Sequence, residues 1–398
     1  MNILAIETSC DETALSIINT AESTDFQPQF EILSDLVISQ IDTHIPYGGV
    51  FPALAKREHA KNLVPLLESS LRKAGLYQAR TETNSVNETM KSSLATVLER
   101  EPELYTTLIN LIEKIERPNI DMIMVTYGPG LAPALWVGVN FARALSVLWN
   151  IPIIPVNHME GHITSTILKD DYTEQKHVLT DFSEFSFPMI ALLISGGHTQ
   201  LVLVRDWADY EIIGETIDDA VGEAFDKVAR MLDMEYPGGP KVSMAAKKGD
   251  PNELISLPRP MINTKDFQFS FSGLKTAVRY LIEDLKKSEN FNEQIINDMC
   301  FEFEQAVTEV LLKKTQKAVD TYNAKGIIIA GGVSANQFIT NAFKEYANNE
   351  GIAFYNPHKK LCGDNSLMIA TAGVINLWKQ KTATVPEEEL VAVGNLKI

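Results

Sequence analysis

The stretch NILAIETSCDETALSII, residues 2–18, decides the fold of this chain. It contains an apolar run, a tight turn of small and acidic residues, and a second apolar run, which predicts a β-hairpin. Residues 189–204, MIALLISGGHTQLVLV, repeat the pattern around a Gly-Gly turn. Two copies of one supersecondary unit indicate a duplicated chain with two lobes of similar design.

A second pair of segments supports the duplication. Residues 122–150 predict a strand, a Gly-Pro loop and an apolar helix, and residues 326–346 predict a strand, a Gly-Gly loop and an amphipathic helix. Alternation of strands and helices is typical of α/β proteins. We therefore predict an α/β fold with two lobes, each built on a mixed β-sheet.

The predicted lobes follow from where these units begin and end. We expect an N-terminal lobe over residues 1–165 and a C-terminal lobe over residues 166–370. Residues 371–398 are expected to form a helix and tail that return to the N-terminal lobe. Residues 78–118 are polar at first and then helical in pattern, and we interpret them as a surface insertion with one or two helices.

Length and composition are ordinary for a globular protein of more than one lobe, with 398 residues, 45% of them hydrophobic and 22% charged. Three cysteines, Cys10, Cys300 and Cys362, are far apart and odd in number. This usage fits a reduced compartment, and we expect a cytoplasmic protein. The N-terminus has no signal-peptide pattern and no apolar run reaches the length of a membrane span, so no membrane partner is expected.

The formal net charge of −17 argues mildly against a nucleic-acid partner, because phosphate neutralisation dominates such binding. A net charge does not exclude a local basic patch. The groups that could form one are Arg57, Lys61, Lys247, Lys248, Lys275 and Arg279.

The segment NHMEGH, residues 157–162, has two histidines at a spacing that suits metal binding. His158 and His162 are four residues apart, so a helix places both imidazoles on one face. Asn157 is a plausible N-cap of that helix. Glu160 lies about 200° from His158 around the helix, which disfavours the HExxH protease arrangement. Two surface histidines without a metal remain an equal alternative.

A carboxylate would complete a site of two histidines and one acid. One candidate is Asp364 in the segment LCGDNSLMIA, residues 361–370. This acid precedes an apolar helix, so a role as a helix N-cap is the alternative.

Three loops have the composition of ligand-binding turns. The Gly-Gly turn of ISGGHTQ, residues 194–200, would let backbone N–H groups approach a phosphate, although an ordinary hairpin turn is the alternative. The segment IAGGVSANQF, residues 329–338, predicts a helix N-terminus suited to an anion. Asp226 could bind ribose hydroxyls or could belong to a solvated helix face. In the first hairpin turn, Asp11 and Glu12 are candidates for acid–base chemistry or for positioning a metal-bound water.

These loops together are similar to those of the actin-like, heat-shock-ATPase and sugar-kinase superfamily, in which a nucleotide lies in a cleft between two lobes. A closer resemblance follows from motif order, and the chain resembles the bacterial TsaD family of tRNA threonylcarbamoyladenosine transferases from residue 1 to about 375, apart from the insertion. The motifs are ETSCDET, YGGVFPALAKREH, GPGL, NHMEGH, SGGHT, IDDAVGEAFDK, YPGGP, FSFSGLKT, GGVSAN and DNSLMIA.

The resemblance implies transfer of a threonylcarbamoyl group from threonylcarbamoyl-AMP to the adenosine 3′ of the anticodon, in tRNAs that read codons starting with A. It makes His158, His162 and Asp364 the ligands of one divalent metal ion, Fe²⁺ with Zn²⁺ as the alternative. It also implies a set of residues that bind the intermediate: Leu193, Ile194, Ser195, Gly196, Gly197, Asp226, Gly239 and Asn336.

The implied reaction adds two hypotheses from loop position, that Asp11 accepts the proton of the adenine amine and that His198 assists. The implied partners are tRNA, a TsaB-type paralogue and a TsaE-type ATPase. The chain departs from many relatives at Asn157 and Ser243, and it lacks their basic C-terminal segment. A metalloprotease and a non-catalytic scaffold or ATPase of the same fold remain the alternatives.

Overall fold

A computed structural model describes residues 1–20, 29–81, 86–168, 177–179, 182–287, 291–381 and 383–398. The chain divides into two compact units, which we name unit 1 (Met1–Phe182 and Gly363–Ile398) and unit 2 (Ser183–Cys362). The lobe boundaries at 165 and 370 stay a prediction beside this division.

The strands of the described chain are, in order, β1 (Asn2–Glu7), β2 (Glu12–Thr20), β3 (Gln29–Ser39), β4 (Met122–Gly128), β5 (Ile153–Asn157), β6 (His177–Leu179), β7 (Met189–Ile194), β8 (Thr199–Asp206), β9 (Asp209–Glu215), β10 (Gly326–Ala330) and β11 (Ala353–Tyr355). The α-helices are α1 (Ile41–His44), α2 (Pro52–Lys73), α3 (Glu88–Val97), α4 (Pro102–Ile112), α5 (Ala132–Trp149), α6 (His158–Thr164), α7 (Val221–Met231), α8 (Gly238–Ala246), α9 (Ser272–Lys287), α10 (Glu293–Tyr322), α11 (Gln337–Glu350) and α12 (Ser366–Trp378).

Unit 1 is built on a mixed sheet with the strand order β5-β4-β1-β2-β3-β6. β1 and β2 form the predicted antiparallel hairpin, and β4 and β5 extend the sheet in parallel with β1. Helices cover both faces, because Leu4 and Ile6 join a core with α2 and α5, whereas Met124 contacts Gly373 of α12. Burial on both faces explains why the four central residues of β1, residues 3–6, are all apolar.

Unit 2 repeats this plan with the strand order β11-β10-β7-β8-β9. β7 and β8 form the second predicted hairpin, and β10 and β11 run parallel to β7. In its core, Phe225 of α7 meets Phe303 of α10 edge-on, with ring centroids 4.9 Å apart. The predicted α/β fold with two related lobes is therefore confirmed.

The stretch 78–118 contains two helices, α3 and α4, and residues 82–85 of it lie outside the described part of the chain. Both helices bury leucines in the core of unit 1, Leu94 from α3 and Leu104 and Leu108 from α4. The two helices are thus packed elements of that core.

The C-terminal tail, which belongs to unit 1, forms backbone hydrogen bonds with β4 and β5 of the same unit. Val393 donates to Tyr127 O, and Val385 donates to Ile153 O. None of the helices in the described residues combines the length and the apolar composition required to cross a bilayer.

Packing of α3 into this core generates a stability prediction. Leu94 is fully buried, so Leu94→Ala should lower the free energy of unfolding by about 2–5 kcal/mol. Urea denaturation followed by circular dichroism measures this change. The control is Ser92→Ala, at an exposed position of the same helix. Equal stabilities of the two variants would contradict the packing of α3.

Candidate functional site

The two histidines of NHMEGH lie on one buried face of α6. The side chain of Asn157 caps this helix by accepting from Met159 N at 2.8 Å, as predicted. The exposed fractions of His158 and His162 are 6% and 1%. Their ring centroids are 4.7 Å apart and the rings are nearly perpendicular. Because both histidines are buried, the alternative of two histidines on the helix surface is excluded.

Asp364 joins them from the segment that precedes α12. The N-cap of α12 is Asn365, which accepts from Met368 N at 2.9 Å, so Asp364 is not needed as a cap. α6 packs directly on α12, and Gly161 permits this because a Cβ there would lie 3.0 Å from Met368 Cγ. The close approach of the two helices brings the acid to the histidines.

The three side chains fit one metal ion. Asp364 Oδ1 lies 3.4 Å from His158 Nε2 and 3.3 Å from His162 Nε2. Two ligands that each lie about 2.0–2.1 Å from one tetrahedral ion are themselves about 3.3–3.4 Å apart. All three donor atoms lie within 4.8 Å of one another. Within the described residues, His162 Nδ1 is buried without a hydrogen-bond partner, and Nε2 has only the contact with Asp364, so this side chain fits a metal ligand.

The surroundings of His158 and Asp364 stabilise positive charge on the imidazole ring of His158. Burial alone would lower the pKa of His158, but the carboxylates of Asp364 and Glu7 outweigh it and hold this pKa well above its usual value. Burial would likewise raise the pKa of Asp364, and the two imidazoles instead hold it far below its usual range. A cation at this position is therefore favoured by its surroundings.

Glu7 positions His158 and has no role in the sequence-based prediction. It is fully buried at the end of β1, and its Oε2 lies 3.1 Å from His158 Nδ1. Thr126 Oγ1 donates to the same carboxylate, and Ser9 N donates to its Oε1. In the neutral form of His158, these contacts hold the proton on Nδ1, so Nε2 is the nitrogen that would bind a metal. An acid directly after the apolar run of residues 3–6 is the sequence signal that could have found it.

Glu160 points away from the two histidines, as its helical position predicts. Its Oε2 accepts from Asn376 Nδ2 at 2.6 Å, on α12. Burial raises the pKa of Glu160. The base of an HExxH protease therefore has no counterpart at this position.

The acidic turn between β1 and β2 lies beside the metal-binding group. Ser9 Oγ is 3.2 Å from His158 Nδ1 and 3.5 Å from Asp364 Oδ2. Burial, Asp364 and Asp11 raise the pKa of Glu12 to about 10, which favours its protonated form. Asp11 is itself buried. Its role as a proton acceptor stays a prediction.

In unit 2, the turn between β7 and β8 leaves its backbone open. Ser195 N donates to His198 O at 2.9 Å, which closes a turn around Gly196 and Gly197. A Cβ at either glycine would meet nothing within 4 Å, so the fold itself does not require glycine there. An uncovered backbone is what a closely approaching ligand needs. The side chains of Leu193 and Ile194 are buried, so only their backbone groups can reach a ligand.

The other predicted ligand-binding residues of unit 2 take part in local structure. Asp226 Oδ1 accepts from Gly238 N at 2.8 Å, at the start of α8. Asn336 Oδ1 caps α11, and its Nδ2 donates to Ser243 Oγ and to Glu304 Oε1, a buried acid that sequence reasoning missed. Gly239 has open space, with only Phe225 Cβ at 4.0 Å. Their substrate contacts stay predictions.

The fold and the site define a two-lobed α/β protein with a buried His/His/Asp group that fits a divalent metal ion. A family model described as TsaD, tRNA N6-adenosine threonylcarbamoyltransferase, matches residues 31–82 and 104–371. The chain belongs to the TsaD family. The unmatched residues 83–103 include α3 and lie within the predicted insertion.

Individual relatives agree over nearly the whole chain. The tRNA N6-adenosine threonylcarbamoyltransferase of Persephonella marina is 40% identical over 376 residues, which are 94% of this chain and 89% of that protein. The protein of that name from Bacillus subtilis is 39% identical over 94% of this chain and 90% of its own length. The one from Thermosipho africanus is 38% identical over all 398 residues and all of its own length.

A solved structure shares the fold. The crystal structure of full-length HypF in the phosphate- and nucleotide-bound form has a TM-score of 0.52 and 12% sequence identity. The likeness covers 96% of this chain, and this chain spans about half, 46%, of that protein. At this identity the likeness concerns the fold alone.

The contact of Glu7 with His158 generates a metal-binding prediction. Glu7→Gln keeps the size of the side chain and removes its charge, so Co²⁺ should bind about 10–100-fold more weakly. Isothermal titration calorimetry measures the dissociation constant. Glu160→Gln, on the far side of α6, is the matched control and should bind Co²⁺ as the unmodified protein does. Equal affinities of the two variants would refute the positioning role of Glu7.

The start of α7 generates a prediction for the open turn. A Cβ at Gly222 would lie 2.6 Å from Ser195 O, so Gly222→Ala must displace the turn. The resemblance predicts that this turn binds threonylcarbamoyl-AMP, so the KM for this compound should rise about tenfold or more when the turn is displaced. Gly273→Ala is the control, since a Cβ there meets nothing within 4 Å. An unchanged KM for both variants would show that the turn does not bind the substrate.

Proposed function

We propose that the chain is a tRNA N6-adenosine threonylcarbamoyltransferase. It transfers the threonylcarbamoyl group of threonylcarbamoyl-AMP to the amine of the adenosine 3′ of the anticodon, in tRNAs that read codons starting with A. One observation carries the proposal, namely that a member of the TsaD family retains the convergent buried group of His158, His162 and Asp364. The names of its relatives support the same activity.

The three side chains would hold one divalent ion, Fe²⁺ with Zn²⁺ as the alternative. Such an ion supplies Lewis acidity, which stabilises charge on a carbonyl or phosphate oxygen. The protein's part is to fix the ligands. Glu7 orients the ring of His158, and α6 and α12 place the other two donors.

Unit 2 binds the acyl-adenylate. The uncovered amides of Gly196 and Gly197 donate to its developing negative charge. Asp226 accepts from the ribose hydroxyls, and Asn336 is held in one orientation for its contact by Glu304. Leu193, Ile194, Ser195 and Gly239 contribute through backbone or small side chains.

The acceptor amine of adenine is a weak nucleophile, so positioning supplies most of the catalysis. The amine nitrogen attacks the carbonyl carbon of the threonylcarbamoyl group, the new C–N bond forms, and the bond to the AMP oxygen breaks. Asp11 takes the proton that the amine loses, and His198 assists.

The cytoplasm is the proposed compartment, and tRNA is the macromolecular substrate. A TsaB-type paralogue and a TsaE-type ATPase are the proposed protein partners. This assignment rests on family membership, on three cysteines that are free in the structure, and on the resemblance of the motifs.

Two alternatives are disfavoured by particular observations. An HExxH metalloprotease would use the glutamate of the histidine helix as its base, whereas Glu160 points away from the histidines and accepts from Asn376. A non-catalytic scaffold would not need a preserved metal-binding group, whereas all three ligands converge.

The test is transfer of label from purified [¹⁴C]threonylcarbamoyl-AMP to tRNA, with the two partner proteins added singly and together. The unmodified chain should label the tRNA, and Asp11→Ala should slow transfer about 10²–10⁴-fold. His158→Ala should lose both bound metal and activity, whereas Glu160→Gln should retain both. Absence of transfer under every combination, or full activity of His158→Ala, would refute the proposed function.

A further inference from the structure

A second histidine network lies in unit 1, next to the metal-binding group. His59 of α2 is fully buried and belongs to the segment AKREH, for which the proposed mechanism has no use. Its Nε2 lies 2.9 Å from Cys10 O, and its Nδ1 lies 2.8 Å from Thr13 Oγ1. A backbone carbonyl can only accept, so Nε2 carries the proton and Nδ1 accepts from the Thr13 hydroxyl.

The imidazole of His59 is neutral. Burial lowers its pKa to about 4, despite the opposing contact with Cys10 O. A neutral ring has one donor and one acceptor, and both are used here. The ring is therefore locked in a single tautomer and orientation.

Farther from the metal-binding group, the network continues through His44 and Gln40. Its hydrogen bonds all donate in the same direction, from Phe51 N toward Cys10 O. Phe51 N donates to His44 Nδ1 at 3.3 Å, and His44 Nε2 lies 3.3 Å from Gln40 Oε1. Gln40 Nε2 lies 3.2 Å from His59 Nδ1. Each bond fixes the proton position of the next, so the network determines which nitrogen of His59 faces Cys10.

The other end of the network is the acidic turn. Ser9, which precedes Cys10, contacts both His158 and Asp364. Asp11, which follows Cys10, accepts from Gln40 N at 2.9 Å through its backbone oxygen. His59 and Gln40 thus hold two consecutive carbonyl groups of the turn.

We propose that His59 is a positioning residue that fixes the Ser9–Glu12 turn against the metal ligands through its bond to Cys10 O. The inference rests on the proposed metal role of His158, His162 and Asp364. It predicts that the contact with Cys10 governs metal affinity and that the contact with Thr13 does not.

Two substitutions separate these contacts. A glutamine amide reaches about as far as Nε2 of histidine, so His59→Gln keeps a donor for Cys10 O and loses the bond to Thr13. An asparagine amide reaches about as far as Nδ1, so His59→Asn does the reverse. His59→Asn loses the buried bond to Cys10 O, and His59→Gln loses the buried contacts of Nδ1 with Thr13 and Gln40. Thermal stability therefore falls in both variants and does not discriminate between them.

The experiment is titration of the full chain with Co²⁺, with visible absorption reporting the ligand field. The dissociation constant of His59→Asn should rise about tenfold, whereas that of His59→Gln should stay within about threefold of the unmodified protein. Asn140→Ala, which removes a buried bond to Glu101 elsewhere in unit 1, is the stability control and should bind Co²⁺ normally.

Three outcomes would overturn the inference. These are equal affinity of His59→Asn and the unmodified protein, weaker binding by His59→Gln than by His59→Asn, or loss of affinity in Thr13→Val. The last variant keeps the test decisive if His59→Asn fails to fold. Failure of the unmodified chain to bind Co²⁺ is a different result, because it refutes the proposed metal role itself.

Discussion

A concentration of buried carboxyl groups at the end of β1 is the constraint on which the site depends. Glu7 and Asp11 are buried, and Asp364 lies against both histidines in the same region. Buried negative charge is costly unless it is protonated or paired with a cation. For Glu12 this cost is avoided in the protonated form, which its raised pKa of about 10 favours. A divalent ion bound by His158, His162 and Asp364 would meet the same requirement for the charge of Asp364.

The duplicated scaffold puts this chemistry in only one of its two equivalent hairpins. The β1–β2 turn of unit 1 carries acids and approaches the ligands from α6 and α12. The β7–β8 turn of unit 2 has the same place in the same strand order but carries Gly196 and Gly197, which leave its backbone open. One supersecondary unit thus supports a cation site in one copy and an open, amide-lined turn in the other. The fold sets the position of each turn, and the turn residues set its chemistry.

The fold followed from periodicity, since both hairpins and both strand–loop–helix units lie where the apolar runs predict. Helical spacing predicted that His158 and His162 share one face, and Asp364 was a candidate third side chain. Their role as metal ligands, which the resemblance implies, stays a prediction. Glu7 could not be assigned, because its contact with His158 depends on where β1 ends relative to α6, 151 residues further along the chain. The bond of His59 to Cys10 depends on how α2 packs on the sheet. Spacing along one element predicts a shared face, whereas contacts between elements need the tertiary structure.

The central claim is that one metal ion is bound by His158, His162 and Asp364. Anomalous diffraction from crystals of the native protein, recorded at the iron and zinc absorption edges, tests it most directly. The account predicts a single anomalous peak in contact with His158 Nε2, a ring nitrogen of His162 and a carboxylate oxygen of Asp364. A stoichiometric metal at a different position, with these three side chains in contact only with water, would contradict it.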